Sequence, residues 1–241
     1  IDTIDSTNEE RIRRARAGAG PKVLIAREQS AGRGRLGRSW ISTKGEGLYM
    51  SILIRPEISI TKAPLLSLIM GLAAERAIKD VTSIEAKLKW PNDLVIDGKK
   101  VAGILAASEI RDNKPDFVVI GIGINMFQEK FSGEIAATAT SLKLAGGTFI
   151  REDLENSIVK SFNRYYDIFI CEESFRAFAK EYNSLTVNIK RRVRVIEPDN
   201  EYEAEALGVN EEGELMVRLD SGDIRAIRSG EVSVRGVYGY I

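Results

Sequence analysis

Apolar residues in the first half of the chain occur in short runs, each bounded by glycine, proline or charged residues. Runs of this length and composition are typical of buried β-strands. They predict strands at residues 22–27, 47–55, 88–90, 94–96, 101–107 and 116–124. The dipeptide Asp97-Gly98 predicts a hairpin turn, because both residue types tolerate the positive φ angles that a two-residue turn requires.

Helical spacing replaces these short runs in other segments. Between residues 64 and 78, leucine and isoleucine recur at intervals of three and four, which predicts a helix that buries one face. Two further helices are predicted at residues 151–170 and 173–182. A polar helix is expected from Thr7 to Gly18, because Thr7 and Glu10 fit a capping box.

The sequence changes in texture near Thr186. From Val187 onward, about five short alternating strands are separated by turns, which is typical of a small β-barrel. We therefore predict an α+β domain over residues 1–186 and an all-β domain over residues 187–241.

Composition narrows the possible chemistry. The 241 residues include 35 basic and 35 acidic side chains, so no overall charge favours nucleic acid or an anionic membrane. No apolar run approaches the ~20 residues of a membrane span, and the N-terminus does not resemble a signal peptide. One cysteine excludes an internal disulfide, and the absence of histidine excludes Ser-His-Asp and Cys-His catalysis. Catalysis must use Lys, Arg, Asp, Glu, backbone amides or a bound ion.

The first candidate for chemistry is a Gly/Arg loop at residues 31–40. Its Gly32-x-Gly34-x-x-Gly37 spacing formally matches the dinucleotide-binding fingerprint, but that fingerprint requires a helix to follow. Here a turn-like segment and another strand follow, so we reject a Rossmann fold. The loop arginines can bind phosphate or carboxylate through paired hydrogen bonds. On the loop alone, a solvated surface loop or unspecific RNA binding explains the arginines equally well.

Two further segments carry candidate chemistry. Lys100 opens an apolar strand and is expected to be partly desolvated, which would strengthen its attraction for an anion; an ordinary hairpin with exposed lysines is the simpler alternative. Gly121 and Gly123 interrupt an apolar strand, which indicates close approach by a ligand or, equally, tight packing.

Taken together, these segments resemble the biotin protein ligases, and the order of the motifs along nearly the whole chain carries the resemblance. The motifs are Ser6-Thr7-Asn8, Gln29, Gly32-Arg33-Gly34-Arg35-x-Gly37-Arg38-x-Trp40, Lys89-Trp90-Pro91-Asn92-Asp93, Lys100-Val101-Ala102-Gly103-Ile104-Leu105 and Gly121-Ile122-Gly123-Ile124-Asn125. The resemblance implies a mixed central sheet with flanking helices, like the catalytic domain of class II aminoacyl-tRNA synthetases. It also implies a small C-terminal domain resembling an SH3 β-barrel.

The family's activity has two half-reactions. Biotin and ATP, with Mg²⁺, give biotinyl-5′-AMP and pyrophosphate, and a lysine of a biotin carboxyl carrier protein then takes the biotin as an amide. The resemblance implies biotin contacts at Ser6, Thr7, Asn8, Gln29, Gly32, Arg33, Gly34, Arg35, Lys100, Gly103 and Leu105. It implies contacts to ATP or the adenylate at Arg35, Arg38, Trp40, Asn92, Asp93, Lys100 and Asn125. Lys100 and Arg35 are the implied catalytic residues, and Asp93 is the implied contact to Mg²⁺.

Partners are also implied by the resemblance. We expect a carrier protein or domain of a carboxylase as partner, a cytoplasmic location and a homodimer. Some family members carry an N-terminal helix-turn-helix domain; this chain begins almost at Ser6, so no specific DNA binding is expected of it. Lipoate–protein ligases share the chemistry, but the loop lacks their motif. A nucleic-acid-binding module is the alternative from another class, and the many glutamates after Val187 disfavour it.

Overall fold

The computed structural model describes residues 1–197, 200–229, 233–236 and 240. Its centre is a six-stranded sheet in the spatial order β2-β4-β8-β7-β6-β5, in which every neighbouring pair is antiparallel. The strands are β2 (Lys22–Ala26), β4 (Gly47–Ile54), β5 (Lys87–Lys89), β6 (Asp93–Ile96), β7 (Lys99–Arg111) and β8 (Lys114–Asn125). Each strand predicted in this half of the chain is therefore present.

Four helices flank the sheet: α1 (Thr7–Arg16), α2 (Leu65–Thr82), α3 (Arg151–Glu172) and α4 (Arg176–Leu185). Strand β4 is buried along its whole length because both of its faces are covered. Met50 and Ile52 belong to the core that α2 forms with the sheet, whereas Leu53 packs in a second cluster with Ala15 of α1. A continuous apolar run is the pattern expected of a strand that is covered on both sides.

Two local predictions have different outcomes. The hairpin turn between β6 and β7 is confirmed, since Asp97 and Gly98 have φ angles of 48° and 76°. The capping box is wrong. Ser6 is the N-cap residue, it makes no capping hydrogen bond through its side chain, and α1 ends at Arg16. Glu10 pairs with Arg13 and Arg14 instead.

A second sheet follows α4, with the spatial order β12-β11-β10-β9-β13. Its strands are β9 (Arg192–Glu197), β10 (Asn200–Val209), β11 (Leu215–Arg218), β12 (Ile224–Ile227) and β13 (Ser233–Gly236). The predicted α+β class with a small C-terminal β unit is confirmed. Parallel pairing occurs between the short strands β1 (Thr3–Ile4) and β3 (Glu28–Gln29). The exact boundary at residue 187 stays a prediction.

Trp90 ties the second sheet to the first. Its side chain is buried, and its Nε1 donates a hydrogen bond to the Gly213 carbonyl at 3.1 Å. Its backbone N–H donates to Asn188 Oδ1 at 2.9 Å. One hydrophobic cluster includes core residues of both sheets. Among the helices of the described residues, none is long and apolar enough to cross a membrane.

Candidate active site

A cavity lies between the N-terminus of α1, the Gly/Arg loop and strands β7 and β8. Most of the predicted site residues line it: Ser6, Thr7, Asn8, Gln29, Arg33, Gly34, Arg35, Trp40, Asn92, Lys100, Gly103 and Leu105. Segments far apart in the chain thus meet at one place.

A buried hydrogen-bond network forms one side of the cavity. Gln29 Oε1 accepts hydrogen bonds from the backbone N–H of Thr7 at 2.8 Å and from its hydroxyl at 3.1 Å. Ser51 Oγ lies 2.7 Å from Thr7 Oγ1 and 2.6 Å from Asn8 Oδ1. Asn8 Nδ2 in turn donates to the carbonyl of Leu105 at 3.0 Å. The network fixes these polar groups at defined positions, as recognition of a small polar ring requires.

Glycines provide the space for this arrangement. A Cβ atom at Gly121 would overlap the Asn8 side chain, and one at Gly123 would overlap the Trp40 indole. A Cβ atom at Gly103 would lie 2.9 Å from the same indole and 3.1 Å from Lys100 Nζ. The close approach that the sequence left open is therefore made by side chains of the cavity.

The Gly/Arg loop leads into β4 through a single 3₁₀ turn at Arg35–Gly37, which confirms that no helix follows the glycines. Arg35 turns inward. Its guanidinium donates to Asn92 Oδ1 at 3.1 Å and to the carbonyl of Ser229 at 2.5 Å. Burial lowers the pKa of Arg35. Arg33 points instead towards Glu9, with a separation of 3.1 Å between Nη1 and Oε1.

Lys100 projects over the cavity from the start of β7. Its Nζ lies 2.6 Å from Asp93 Oδ1 and 5.3 Å from the centre of the Trp40 ring. The other carboxylate oxygen of Asp93 accepts a hydrogen bond from the Tyr240 hydroxyl at 2.5 Å. Burial, followed by the negative charge of Asp93, raises the pKa of Tyr240. Lys100 is thus held in place by a carboxylate while its ammonium remains at the cavity.

Four predicted residues do not line the cavity. Asp93 contacts it through Lys100. The carbonyl of Gly32 accepts a hydrogen bond from the Trp40 backbone and shapes the loop. The carbonyl of Arg38 accepts a hydrogen bond from Gly34 within the loop. Asn125 is buried and donates to the carbonyl of Thr140 at 2.9 Å. Ligand contacts at these positions stay predictions.

Sequence reasoning missed several residues at the site. Ser51 lies in an otherwise apolar run, and that exception was the available signal. Ser42 accepts a hydrogen bond from Gln29 Nε2 at 2.9 Å, but nothing in the sequence marks it. Lys89 is part of the Lys89-Trp90-Pro91-Asn92-Asp93 motif, but the resemblance implies no role for it. Tyr240 reaches the site only through tertiary structure.

Comparison with known proteins identifies the same family that the motifs resemble. Residues 1–125 match the family described as "Biotin/lipoate A/B protein ligase family". Residues 189–235 match the family described as "Biotin protein ligase C terminal domain". A biotin protein ligase from Aquifex aeolicus, solved in complex with biotin and ATP, superimposes with a TM-score of 0.83 at 30% identity. The alignment covers 98% of this chain and 97% of that one. The chain belongs to the biotin protein ligase family.

Two curated relatives place the chain within the family. The bifunctional ligase/repressor BirA of Bacillus subtilis is 33% identical over 88% of this chain, which spans 66% of that relative. The biotin--[acetyl-CoA-carboxylase] ligase of Mycobacterium tuberculosis is 34% identical over 79% of this chain and 71% of its own length. Both similarities extend beyond the cavity to most of the chain.

Proposed function

We propose that the chain activates biotin with ATP to biotinyl-5′-AMP and transfers the biotin to a lysine of a carboxylase carrier protein. The observation that carries the proposal is the convergence of the predicted binding residues on one cavity, with the ammonium of Lys100 at its edge. The family relationship and the biotin and ATP of the Aquifex aeolicus structure support the same reaction.

The first half-reaction needs charge neutralisation more than proton transfer. The biotin carboxylate is already a nucleophile, and its oxygen bonds to the α-phosphorus of ATP while the bond to the pyrophosphate oxygen breaks. Two anions must be held together for this step, and fixed cations lower the repulsion between them. Lys100 and the half-buried Arg35 supply those cations. A site without histidine is sufficient for this chemistry.

Asp93 has the donor atoms that Mg²⁺ requires. Mg²⁺ commonly binds one or two carboxylates together with substrate phosphates. Asp93 Oδ1 is buried and accepts no hydrogen bond from the described residues, although Lys100 is close. In that part of the chain, no group of three or more acidic or cysteine side chains forms a complete metal cage. Asp93 would therefore hold the ion jointly with ATP, and the bound ion would neutralise phosphate charge.

The second half-reaction joins the biotin carbonyl to the amine of the carrier lysine and releases AMP. The name of the Mycobacterium tuberculosis relative specifies an acetyl-CoA carboxylase as its substrate, and we assign a carboxylase carrier to this chain by that similarity. We place the reaction in the cytoplasm, where ATP and the carrier are available. A homodimer and the lack of specific DNA binding stay predictions for size-exclusion chromatography and DNA-binding assays.

Incubation with α-³²P-ATP and Mg²⁺ tests the proposal directly. Biotin should give a labelled acyl-AMP, whereas lipoate or no acid should give none. A labelled product with lipoate alone would assign the chain to lipoate activation. The absence of a labelled product with both acids would contradict ligase activity.

The variant Lys100→Ala tests how the site works. We expect its adenylation rate to fall roughly 10²–10³-fold, as when one preorganised charge donor is lost. The neighbouring Lys99→Ala is the matched control, since Lys99 is exposed and does not line the cavity. Equal rates for the two variants would refute the role of Lys100.

A further inference from the structure

Lys89 is the cation that the proposed mechanism leaves unused. It ends strand β5, and only 5% of its surface is exposed. Among the residues that the structure describes, no acceptor forms a hydrogen bond or an ion pair with it. Lys89 Nζ lies over the Tyr240 ring, 3.5 Å from its centre. A buried ammonium without an acceptor is unfavourable, so its presence needs an explanation, and a bound anion is one.

The register of the sheet places Lys89 beside the catalytic groups. Lys89 of β5 lies directly opposite Asp93 of β6, and paired residues of an antiparallel ladder project on the same face. Asp93 contacts Lys100 through one oxygen and Tyr240 through the other. Lys89 is therefore a direct neighbour of Asp93, which in turn contacts Lys100 at the cavity.

The local charge favours an anion. The electrostatic neighbours of Lys89 are Asp93, which is negative, and Lys100, Arg38 and Arg235, which are positive. With Lys89 itself, this group contains four cations and one carboxylate. Burial lowers the pKa of Lys89 to about 8, with the three cations acting in the same direction and Asp93 opposing them. A polyanion bound here would relieve both the repulsion and the missing hydrogen bonds.

We infer that Lys89 binds the β- and γ-phosphates of ATP and holds the pyrophosphate as it leaves. The inference rests on the proposed function. Attacking and leaving oxygens lie roughly in line in phosphoryl-group chemistry, so the pyrophosphate leaves from the side of the α-phosphorus opposite biotin. As the carboxylate oxygen bonds to the α-phosphorus, the electron pair of the broken bond passes to the pyrophosphate, and the Lys89 ammonium neutralises part of that charge.

Binding measurements on Lys89→Met test this inference. Dissociation constants are measured by calorimetry for inorganic pyrophosphate, ATP, AMP and biotin. We expect those for pyrophosphate and ATP to rise about 10- to 100-fold, the usual effect of losing a hydrogen bond between charged groups. Those for AMP and biotin should stay within about threefold, because neither ligand carries the β- or γ-phosphate. Unchanged biotin binding also shows that the variant is folded.

Lys87→Met is the matched control. Lys87 lies two residues earlier on the same strand, is partly exposed and has Glu75 among its charged neighbours. We expect it to bind all four ligands like the wild type. Equal weakening of AMP and ATP by Lys89→Met, or a defect limited to transfer from preformed biotinyl-AMP, would overturn the inference.

A measurement on the wild-type protein tests the inference if Lys89→Met does not fold. Lysines are labelled with acetic anhydride near pH 8, and the modification of Lys89 is followed by mass spectrometry. Pyrophosphate should protect Lys89, whereas AMP should not, and an absence of protection would contradict the inference. Because this readout needs no turnover, it stays separate from the proposed function: protection without any biotin-dependent adenylate would retain the subsite and refute the ligase assignment.

Discussion

At the scale of single residues, Gly121 decides where Asn8 can lie. The Asn8 carboxamide occupies the space that a β-carbon at position 121 would need, and there it contacts Ser51 and the carbonyl of Leu105. The backbone of Gly121 is paired in the central sheet on both sides, with β4 and with β7, so it cannot move aside. The overlap has to be relieved by Asn8.

Gly121→Ala should therefore weaken biotin binding. Displaced Asn8 loses its buried hydrogen bonds, which corresponds to about 1–3 kcal/mol, or roughly a tenfold to hundredfold higher dissociation constant. Calorimetric titration with biotin measures this dissociation constant. Gly20→Ala is the control, because nothing lies within 4 Å of a Cβ atom there. Wild-type affinity in Gly121→Ala would show that the Asn8 network does not contribute to biotin binding.

Lys89 predicts a dependence of stability on pH. Its pKa is about 8 in the folded protein, below the ordinary value of 10.5, mainly because it is buried. The folded state thus disfavours the ammonium, a destabilisation fully present below pH 8 and lost as the pH rises from 8 towards the unfolded value. Lys89→Met should raise the free energy of unfolding at pH 7 by on the order of 2 kcal/mol.

Urea denaturation of Lys89→Met and of the wild type checks this expectation, without ATP or pyrophosphate. The difference in unfolding free energy should shrink between pH 8 and pH 10. The charged groups that face Lys89, namely Asp93, Lys100, Arg38 and Arg235, are common to both proteins and largely cancel in the difference. A difference that stays constant over this range would contradict the lowered pKa.

Among single residues, a site residue could be predicted only where the sequence around it marks its role. The glycine-rich loop and the apolar strand made the loop arginines and Lys100 candidates, but only their place in the order of motifs that resembles the biotin protein ligases gave them roles. Ser42 and Tyr240 could not be found in this way. Their roles follow from tertiary partners: Gln29 lies 13 residues from Ser42, and Asp93 lies 147 residues from Tyr240.

At the scale of elements, the Gly/Arg loop is held in place by hydrogen bonds and is not a freely exposed loop. Arg33 and Ser39 form an isolated antiparallel bridge, and Arg35 connects the loop to Asn92 and Ser229. The loop therefore forms a fixed part of the cavity wall. A mixed anhydride hydrolyses readily, so a loop that excludes water and slows escape of the adenylate protects the intermediate.

Arg35→Ala should release biotinyl-AMP. With its inward-facing cation removed, the loop is expected to retain the adenylate poorly, and the freed anhydride should biotinylate lysines of bystander proteins. Streptavidin blots of a mixture with serum albumin measure the label. The control Arg76→Ala removes an exposed arginine of α2 that pairs with Asp80. Bystander labelling no greater than that of the wild type would refute retention by Arg35.

The elements themselves were mostly predictable, and the one clear failure has a physical cause. The strands and α2 were predicted because burial imposes its periodicity on the sequence. The capping box at Thr7 failed because its hydroxyl is engaged elsewhere, between Gln29 and Ser51. A side chain that serves the ligand cavity is not available to cap its own helix.

At the scale of the whole molecule, the two sheets share one core. Trp90 of the first unit and Leu215 of the second belong to the same hydrophobic cluster, and hydrogen bonds from Trp90 reach Asn188 and Gly213. The change in sequence texture predicted two units, but periodicity says nothing about how units pack. The continuity of the core could only be seen in the structure.

The shared core predicts one cooperative unfolding transition. Trp90→Phe removes the hydrogen bond to Gly213 and leaves its carbonyl unpaired, which should lower the free energy of unfolding by about 1–3 kcal/mol. Urea titrations followed by far-ultraviolet circular dichroism measure the change. The midpoint should fall while the slope m remains unchanged. Two separate transitions in the wild type would contradict a common core.

The chain contains two tryptophans, and their positions give each one a separate spectroscopic use. Trp40 lies in the cavity against Gly103 and Gly123, with Lys100 over its ring, so its emission reports on the contents of the cavity. Trp90 is enclosed between the sheets, so its emission reports on their packing. A Trp90→Phe protein therefore carries one tryptophan, placed where biotin and the adenylate are expected to bind, and ligand occupancy can be followed in real time through its emission without an attached dye.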